Sequence, residues 1–228
     1  MARSAASQQG GERRRPSLGR AAIVRAALKL VDRHGVEALS MRRLAEELGV
    51  GTMSLYHHVA NKEDLLDGVV ELVLTEVEFP PDDAGPWDER ALMAASSFRQ
   101  VAHRHPNCVP LLVTRPYKTP GALRPLEASF ELLHEAGFEP ETAVVAYRAV
   151  MAYLLGFLTT ESEGFLCGVG VSQDRQQLLD AGLPRLAALA PHLAERNADA
   201  DFDAGLRIVR LGILRSLASQ PPGHAEAG

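Results

Sequence analysis

One stretch of the chain, LSMRRLAEELGVGTMSLYHHVANKEDLL (39–66), constrains the fold more than any other. Its apolar residues recur at helical spacing in three short runs, and Gly49 separates the first run from the second. Ser40 precedes the first run and Asn61 the third, where their side chains are suited to accept from free backbone N–H groups. Gly49 is suited to the left-handed position that ends a helix. The pattern predicts two short helices joined by a tight turn, with a third helix directly behind them.

The second of these helices carries side chains that core packing does not explain. Leu55 and Val59 supply the buried positions of a helix of about two turns. Its other positions are Thr52, Met53, Ser54, Tyr56, His57 and His58. A recognition helix presents such polar and aromatic groups to DNA base edges. Because the same helix-turn-helix shape also occurs in proteins that never bind nucleic acid, the shape alone leaves both interpretations open.

The charge distribution favours DNA binding. Eleven basic and five acidic residues lie within the first 62 positions, a balance of +6, while the whole chain carries −5. A basic end on an acidic protein suits phosphate binding, because Lys and Arg displace counterions condensed on DNA. The arginines at 13–15 are candidates for a minor-groove contact, and a merely solubilising tail is the alternative.

The segment from Ser40 to Leu66, above all LAEELGV, SLYHHV and NKEDLL, resembles the DNA-binding domain of the tetracycline-repressor (TetR) family of transcriptional regulators. The preceding SLGRAAIVRAALKLVDRHGVEAL is similar to the family's Ala-rich first helix, which ends at a glycine, here Gly35. Weaker similarity to the C-terminal domain of the tetracycline-repressor branch continues in TRP (114–116), AGF (136–138) and YLLGF (153–157). The resemblance implies a homodimeric DNA-binding regulator that responds to a small molecule.

The resemblance also implies which residues contact DNA. In the family, the positions matching Arg42, Thr52, Ser54 and His57 reach bases or neighbouring phosphates, and those matching Tyr56, His58 and Lys62 mainly contact the phosphate backbone. Together with Met53, these are the predicted DNA contacts. Phosphate contacts set the position on DNA, whereas base contacts set sequence preference. We expect no metal site at His57 and His58, because adjacent helical side chains point about 100° apart.

Length and proline placement predict two domains. A chain of 228 residues with 46% hydrophobic residues can bury a second core, and FPPDDAGPW (79–87) interrupts the helical periodicity. We predict a disordered basic tail at 1–16, a helix-turn-helix DNA-binding domain at 17–78, a junction at 79–87, a helical effector-binding and dimerisation domain at 88–220, and a disordered tail at 221–228.

No period-two strand pattern persists, so the predicted fold class is all-α. Beyond the junction, helices are predicted at Asp88–His103, Asn107–Leu112, Pro120–Ala136, Pro140–Glu163, Arg175–Glu195 and Phe202–Ala218. The helices near 140–163 and 202–218 are apolar over more than one face and must be covered on several sides. The resemblance implies a homodimer that buries them in a four-helix bundle, and central positions within a monomer are the alternative.

A small-molecule effector is implied, but its pocket departs from that of the tetracycline repressor. The predicted pocket residues are Phe98, His103, Arg115, Phe130, His134, Tyr147, Met151 and Phe157, of which Phe98 and Arg115 match pocket positions of relatives. The repressor's metal-binding histidine aligns with Leu111 and its acidic partner with Thr160, beside Glu161. Its polar drug-binding positions align with Glu78 and Ala94. Without those groups we do not expect magnesium–tetracycline as the effector.

Other classes are disfavoured. The two cysteines, Cys108 and Cys167, show no CxxC spacing, so neither a disulfide framework nor a zinc site is predicted. We expect no membrane-length apolar run and no signal peptide, and therefore a cytoplasmic protein. No catalytic constellation is recognisable, so we predict no enzyme and no cofactor. The predicted partners are double-stranded DNA with a palindromic operator and an effector. The alternatives are a helical interaction module without DNA binding and an activator in place of a repressor.

Overall fold

The computed structural model describes residues 18–162, 175–194 and 197–219, and this part of the chain is helical without strands, as predicted. Eleven α-helices occur there: α1 (Arg20–His34), α2 (Met41–Leu48), α3 (Thr52–Tyr56), α4 (Lys62–Leu74), α5 (Trp87–Arg104), α6 (Val109–Thr114), α7 (Pro120–Glu135), α8 (Pro140–Ser162), α9 (Arg175–Asp180), α10 (Pro184–Ala194) and α11 (Ala198–Ala218). Single 3₁₀ turns lie at Val36–Ala38, Asp82–Ala84 and Pro106–Cys108. The arginines at 13–15, Cys167 and the tail at 221–228 lie outside the described residues.

Helices α1 and α4 pack closely against each other in the N-terminal part. Ile23, Val31 and Leu65 are fully buried between the helices of this part. Gly68 of α4 faces Val24 of α1, and a Cβ at this position would lie only 2.8 Å from Val24 Cγ2. Because a valine side chain has little freedom to move aside, glycine permits this close helix approach.

The apolar core is continuous from the N-terminal helices into the later ones. One cluster joins Val73 of α4 with Phe98 of α5, Leu154 of α8 and Phe202 of α11. The segment predicted as the junction therefore runs beside a shared core. The domain boundaries themselves stay a prediction.

Three predicted helices differ in their limits. The 3₁₀ turn Pro106–Cys108 precedes α6, where one helix was predicted from 107 to 112. The predicted helix 175–195 is divided into α9 and α10, because Gly182 adopts a left-handed φ of 74° and Pro184 is suited to a first helical position. Helix α11 begins four residues before the predicted start, since the Asn197 side chain accepts from the backbone N–H of Ala200 at 3.1 Å.

Helix α8 corrects one expectation. The sequence was expected to contain no apolar run of membrane length, yet Pro140–Glu161 is long and apolar enough, with a mean hydropathy of 1.5. Helices at the core or interface of a soluble protein meet the same criterion, so one such helix does not indicate a membrane protein. Only 28% of its most apolar window is buried within the chain.

Candidate nucleic-acid interface and ligand cavity

The turn between α2 and α3 is built by the residues that the sequence pointed to. Ser40 Oγ accepts from the Arg43 backbone N–H at 3.2 Å, which caps the start of α2. Gly49 ends α2 with a φ of 65°, and the following Val50 N–H donates to the carbonyl of Ala45 at 3.0 Å. This pairing satisfies a carbonyl at the helix end and directs the chain into α3.

Helix α3 is a short helix that exposes most of its surface. It spans only Thr52–Tyr56, which is shorter than the two turns predicted, and Val59 is buried beyond its end. Leu55 is fully buried and fixes the helix to the core, whereas Met53 is 71% exposed and Tyr56 45% exposed. The polar face of α3 is therefore available to a partner.

The eight predicted DNA contacts all reach the surface. Met53, Tyr56, His57 and Arg42 are exposed, and Thr52, Ser54, His58 and Lys62 are partly exposed. Arg42 Nε donates to Glu46 Oε1 at 2.9 Å, one turn further along α2. Lys62 is the first residue of α4 and forms no ion pair within the described ranges. Its ammonium group is free to meet a phosphate.

The start of α4 is fastened to α1 by a hydrogen-bond network around Asp64. The Asn61 side chain accepts from the Asp64 N–H at 2.8 Å, and the Asp64 carboxylate accepts from the Ala60 N–H at 2.7 Å. Arg20 of α1 donates to both Asp64 oxygens at 2.7 and 2.9 Å. This hydrogen bonding by Arg20 lowers the pKa of Asp64. The network positions the segment that joins α3 to α4.

Only some of the basic residues of the N-terminal helices form ion pairs. Arg33 pairs with Glu47, in addition to the Arg20 and Arg42 pairs described above. No ion pair involves Arg25, Lys29 or Arg43 in the portion of the chain that the structure describes. These cations are therefore available for long-range attraction to a polyanion.

A second candidate site is a cavity among α4, α5, α7 and α8. It encloses about 760 Å³ including its open mouth. Most of its wall is aliphatic or aromatic, and Phe79, Trp87, Phe98, Tyr117 and Tyr147 supply the rings. Such a shape and lining are typical of small-molecule pockets. Leu74 and Val77 bring the end of α4 into the same wall.

Three hydroxyl groups interrupt the apolar lining. Tyr117 donates to the Leu112 carbonyl at 3.2 Å, and Ser129 donates to the Pro125 carbonyl at 2.7 Å. No hydrogen bond engages the Tyr147 hydroxyl among the residues described. Burial, together with the nearby Tyr147, raises the pKa of Tyr117 to about 12, and burial also raises the pKa of Tyr147. Both phenols are therefore neutral at neutral pH.

The structure brings three of the eight predicted pocket residues to this cavity, namely Phe98, Tyr147 and Met151. Phe130 supports the Tyr147 ring from outside at a centroid distance of 5.1 Å, and it lines a separate surface groove with His134. Phe157 instead packs on the Phe202 ring at 5.2 Å. These three residues lie away from the cavity wall.

The remaining two predicted pocket residues contact carboxylates instead. His103 Nε2 lies 2.9 Å from Glu161 at the end of α8. Arg115 contacts Asp67 at 2.5 Å and Glu63 at 2.7 Å, both on α4. Arg115 therefore connects α4 to the segment after α6, and the structure does not place its side chain in the cavity.

Sequence reasoning missed other aromatic residues of the cavity wall. Trp87 and Phe79 flank the proline-rich segment, and Tyr117 directly follows the TRP motif. Their positions beside recognised features were a usable signal, but no helical periodicity places them on a common wall. Only the packing of α5 and α7 against α8 brings them together.

Of the positions aligned with tetracycline-binding groups, Leu111 and Ala94 are apolar, and the Thr160 hydroxyl donates to the Gly156 carbonyl at 2.8 Å. Leu111 is buried in the core, and Ala94 presents only a methyl group to the cavity. Glu161 is paired with Arg99 at 2.6 Å, and this pairing accompanies a lowered pKa of Glu161 despite the opposing effect of burial. Within the described residues, no group of three His, Cys, Asp or Glu side chains is arranged to hold a metal ion.

The exposed helix α3 behind a tight turn, on an all-helical scaffold, defines a helix-turn-helix protein. Residues 23–69 match the model for bacterial regulatory proteins of the tetR family, and residues 79–217 match the tetracyclin repressor-like C-terminal domain. The chain is 37% identical to an HTH-type transcriptional regulator of Saccharopolyspora erythraea over 193 residues. The aligned region is 85% of this chain and 76% of the relative. It is 30% identical to the class C tetracycline repressor of Escherichia coli over 86% of this chain and 90% of that protein.

Solved structures agree with the sequence comparisons. The TetR family protein ActR of Streptomyces coelicolor, in complex with actinorhodin, superposes with a TM-score of 0.78 at 32% identity and covers 89% of this chain and 98% of that one. The chain belongs to the TetR family of transcriptional regulators. Members of this family are DNA-binding regulators and not enzymes.

Proposed function

We propose that this protein is a cytoplasmic repressor that binds a palindromic operator as a homodimer and is released by a small molecule. The exposed polar face of α3, fixed to the core by Leu55, is the observation that carries the proposal. Two such helices, about one DNA turn apart in a two-fold dimer, would enter successive major grooves.

The DNA contacts are divided by chemistry. Thr52, Met53, Ser54 and His57 on or beside α3 meet base edges, and Arg42 reaches a base or an adjacent phosphate. Tyr56, His58 and Lys62 contact the phosphate backbone. Lys62 combines an unpaired ammonium with the start of α4, whose helix dipole also favours a phosphate.

Lys62→Ala tests the phosphate assignment. We expect weaker binding to every operator sequence and a salt slope of log Kd that is smaller by about 1, since one counterion fewer is released. Fluorescence anisotropy at several salt concentrations measures both. Lys118→Ala, an exposed lysine beside Asp67 outside the helix-turn-helix, is the matched control. An unchanged slope for Lys62→Ala would contradict the assignment.

The dimer is proposed from the uncovered apolar surface of α8 and α11, which pack on each other. Ile208 and Leu211 of α11 are 71% and 60% exposed, and Val145 of α8 is also exposed. Large apolar side chains that are this exposed favour burial against a second copy of the chain, in a four-helix bundle around a two-fold axis.

Ile208→Lys tests the dimer. We expect the chain to become monomeric in analytical ultracentrifugation and to lose operator affinity, because a buried unpaired ammonium opposes association. Leu189→Lys places the same charge at an exposed position of α10 and serves as the control. A dimer that survives Ile208→Lys with unchanged affinity would place the interface elsewhere.

The cavity is proposed as the effector site because its wall includes the end of α4, the helix that follows α3. A ligand there would favour one arrangement of the DNA-binding helices, with a coupling free energy of typically about 1 to 3 kcal/mol. We propose that this ligand is not tetracycline, since Leu111 offers no ligand to its metal ion and Ala94 offers no polar group to the drug. Isothermal calorimetry with magnesium–tetracycline tests this, and micromolar affinity would refute it.

A further inference from the structure

The cavity wall carries no charged side chain, and this limits what it can bind. Its lining residues are aliphatic or aromatic apart from the hydroxyls of Tyr117, Ser129 and Tyr147. Arg99, which belongs to the same helix as Phe98, directs its guanidinium to Glu161 and Asp199 at 2.6 and 2.8 Å. An ion that entered this cavity would lose water without gaining an opposite charge, and that desolvation is costly. The lining therefore favours an uncharged molecule.

The aromatic walls have rigid supports. The Trp87 ring meets the edge of Phe138 at a centroid distance of 5.5 Å and an interplanar angle of 80°. Tyr147 rests on Phe130, as described above. Rings held in this way present fixed flat or edge surfaces, which pair well with a second planar ring. The shape therefore favours a planar, ring-bearing molecule.

The phenol groups of Tyr117 and Tyr147 determine which hydrogen bonds the cavity can form with a ligand. The Tyr147 hydroxyl is neutral and has no partner among the described residues, so it is available to donate to a ligand acceptor. Tyr117 already donates its proton to Leu112, so its oxygen is left to accept from a ligand hydroxyl.

We propose that the cavity binds an uncharged, planar polycyclic molecule that carries a carbonyl acceptor for Tyr147 and a hydroxyl donor for Tyr117. This inference rests on the proposed effector role of the cavity, because it assigns the chemistry of that same site. Leu74 at the end of α4 belongs to the same wall, so a ligand in the cavity would lie beside the helix that follows α3.

The chain contains a single tryptophan, Trp87, and it lies in the cavity wall, so quenching of its fluorescence reports binding directly. The probe is 2-hydroxyanthraquinone in slightly acidic buffer, where it is neutral; it is planar and carries free carbonyl and hydroxyl groups. Anthraquinone-2-sulfonate has the same ring system with a fixed negative charge. We expect the neutral probe to bind at least about tenfold more tightly than the sulfonate, because the cavity offers no counter-charge. Equal or tighter binding of the sulfonate would overturn the proposal.

Tyr147→Phe separates the hydrogen bond from the ring. We expect affinity for 2-hydroxyanthraquinone to fall about fivefold, the effect of one net hydrogen bond, while the affinity for anthracene, which has no acceptor, is unaffected. Tyr153→Phe removes a hydroxyl that donates to the Phe202 carbonyl outside the cavity, and it should leave the affinity for the probe unchanged. Melting curves establish that both variants are folded.

An unchanged affinity of folded Tyr147→Phe for the neutral probe would refute the assigned donor. Since these titrations contain no DNA, such a failure leaves the operator-binding proposal intact. That proposal fails instead if the unliganded protein does not bind operator DNA, whatever the probe does.

Discussion

Helix α4 packs against α1 on one side and against the later helices on the other, and the two contacts differ in chemistry. Toward α1 the contact is mostly apolar and closely packed, with Gly68 against Val24 and Leu65 buried, and a single ion pair, Arg20–Asp64, lies at its start. Toward the later helices it shares apolar contacts but also carries the ion pairs of Asp67 and Glu63 with Arg115. Glu76, two residues beyond the end of α4, pairs with Arg104.

The two sides of α4 differ in the free energy that is lost when their contacts open. Opening the apolar contact exposes carbon surface to water at roughly 25 cal/mol per Å², whereas partly exposed ion pairs exchange for water at small cost. We therefore expect α1 to α4 to move as one unit, with adjustment concentrated at the ionic contacts of α4.

Leu65→Ala should have the largest effect, because it removes a fully buried side chain from the apolar contact. We expect a loss of about 2 to 5 kcal/mol in the free energy of unfolding, measured by urea denaturation. Leu189→Ala, at an exposed position of α10, should change it by less than about 0.5 kcal/mol. A small effect of Leu65→Ala would show that α1 and α4 are loosely packed, and it would contradict the greater stability assigned to the apolar contact.

Arg115→Gln should have an intermediate effect. The change leaves the Asp67 carboxylate with only Lys118, at 4.0 Å, and we expect a loss of about 1 to 2 kcal/mol in unfolding free energy. Arg42→Gln, whose ion pair with Glu46 is largely exposed, should cost less than about 0.5 kcal/mol. If Arg115→Gln lowered the unfolding free energy more than Leu65→Ala does, the ionic contacts of α4 would contribute more to stability than its apolar contact with α1.

Asp64→Asn should have the smallest effect, and its effect should depend on pH. Arg20 hydrogen bonding lowers the pKa of Asp64 below its ordinary value of 3.8, so the charged carboxylate stabilises the folded state above that pH. The contribution is lost as the pH falls through the lowered pKa. Solvent screens the pair, since the Arg20 side chain is 43% exposed, and we expect less than about 1 kcal/mol at pH 7.

Urea midpoints of the wild type and Asp64→Asn between about pH 7 and pH 3 measure this dependence. The two proteins should differ most at neutral pH and converge as Asp64 becomes protonated. A difference that grew on acidification would contradict the assigned sign.

The N-terminal part was largely predictable because its signals are local. Ser40, Gly49 and Asn61 lie within three or four residues of the groups that they satisfy, so capping rules identify them. The Arg20–Asp64 pair joins residues 44 positions apart, and no periodicity or capping rule relates them. It becomes visible only when α1 and α4 are packed together.

The cavity was less predictable for the same reason. Phe98 and Tyr147 were identified on helices that line it, but Trp87 and Tyr117 enter from the ends of segments whose directions depend on tertiary packing. His103 and Phe157 have the same residue types as pocket groups, yet long-range partners such as Glu161 and Phe202 engage them instead. Residue type and helical face do not reveal such competition.

Helix α3 contributes one fully buried side chain, Leu55, to the apolar core, while its neighbours on the same helix face outward. If Thr52, Met53 and Ser54 contact bases as proposed, substitutions there would change operator recognition with little loss of folding stability. On that proposal, the surface that selects the operator can change while the scaffold is retained.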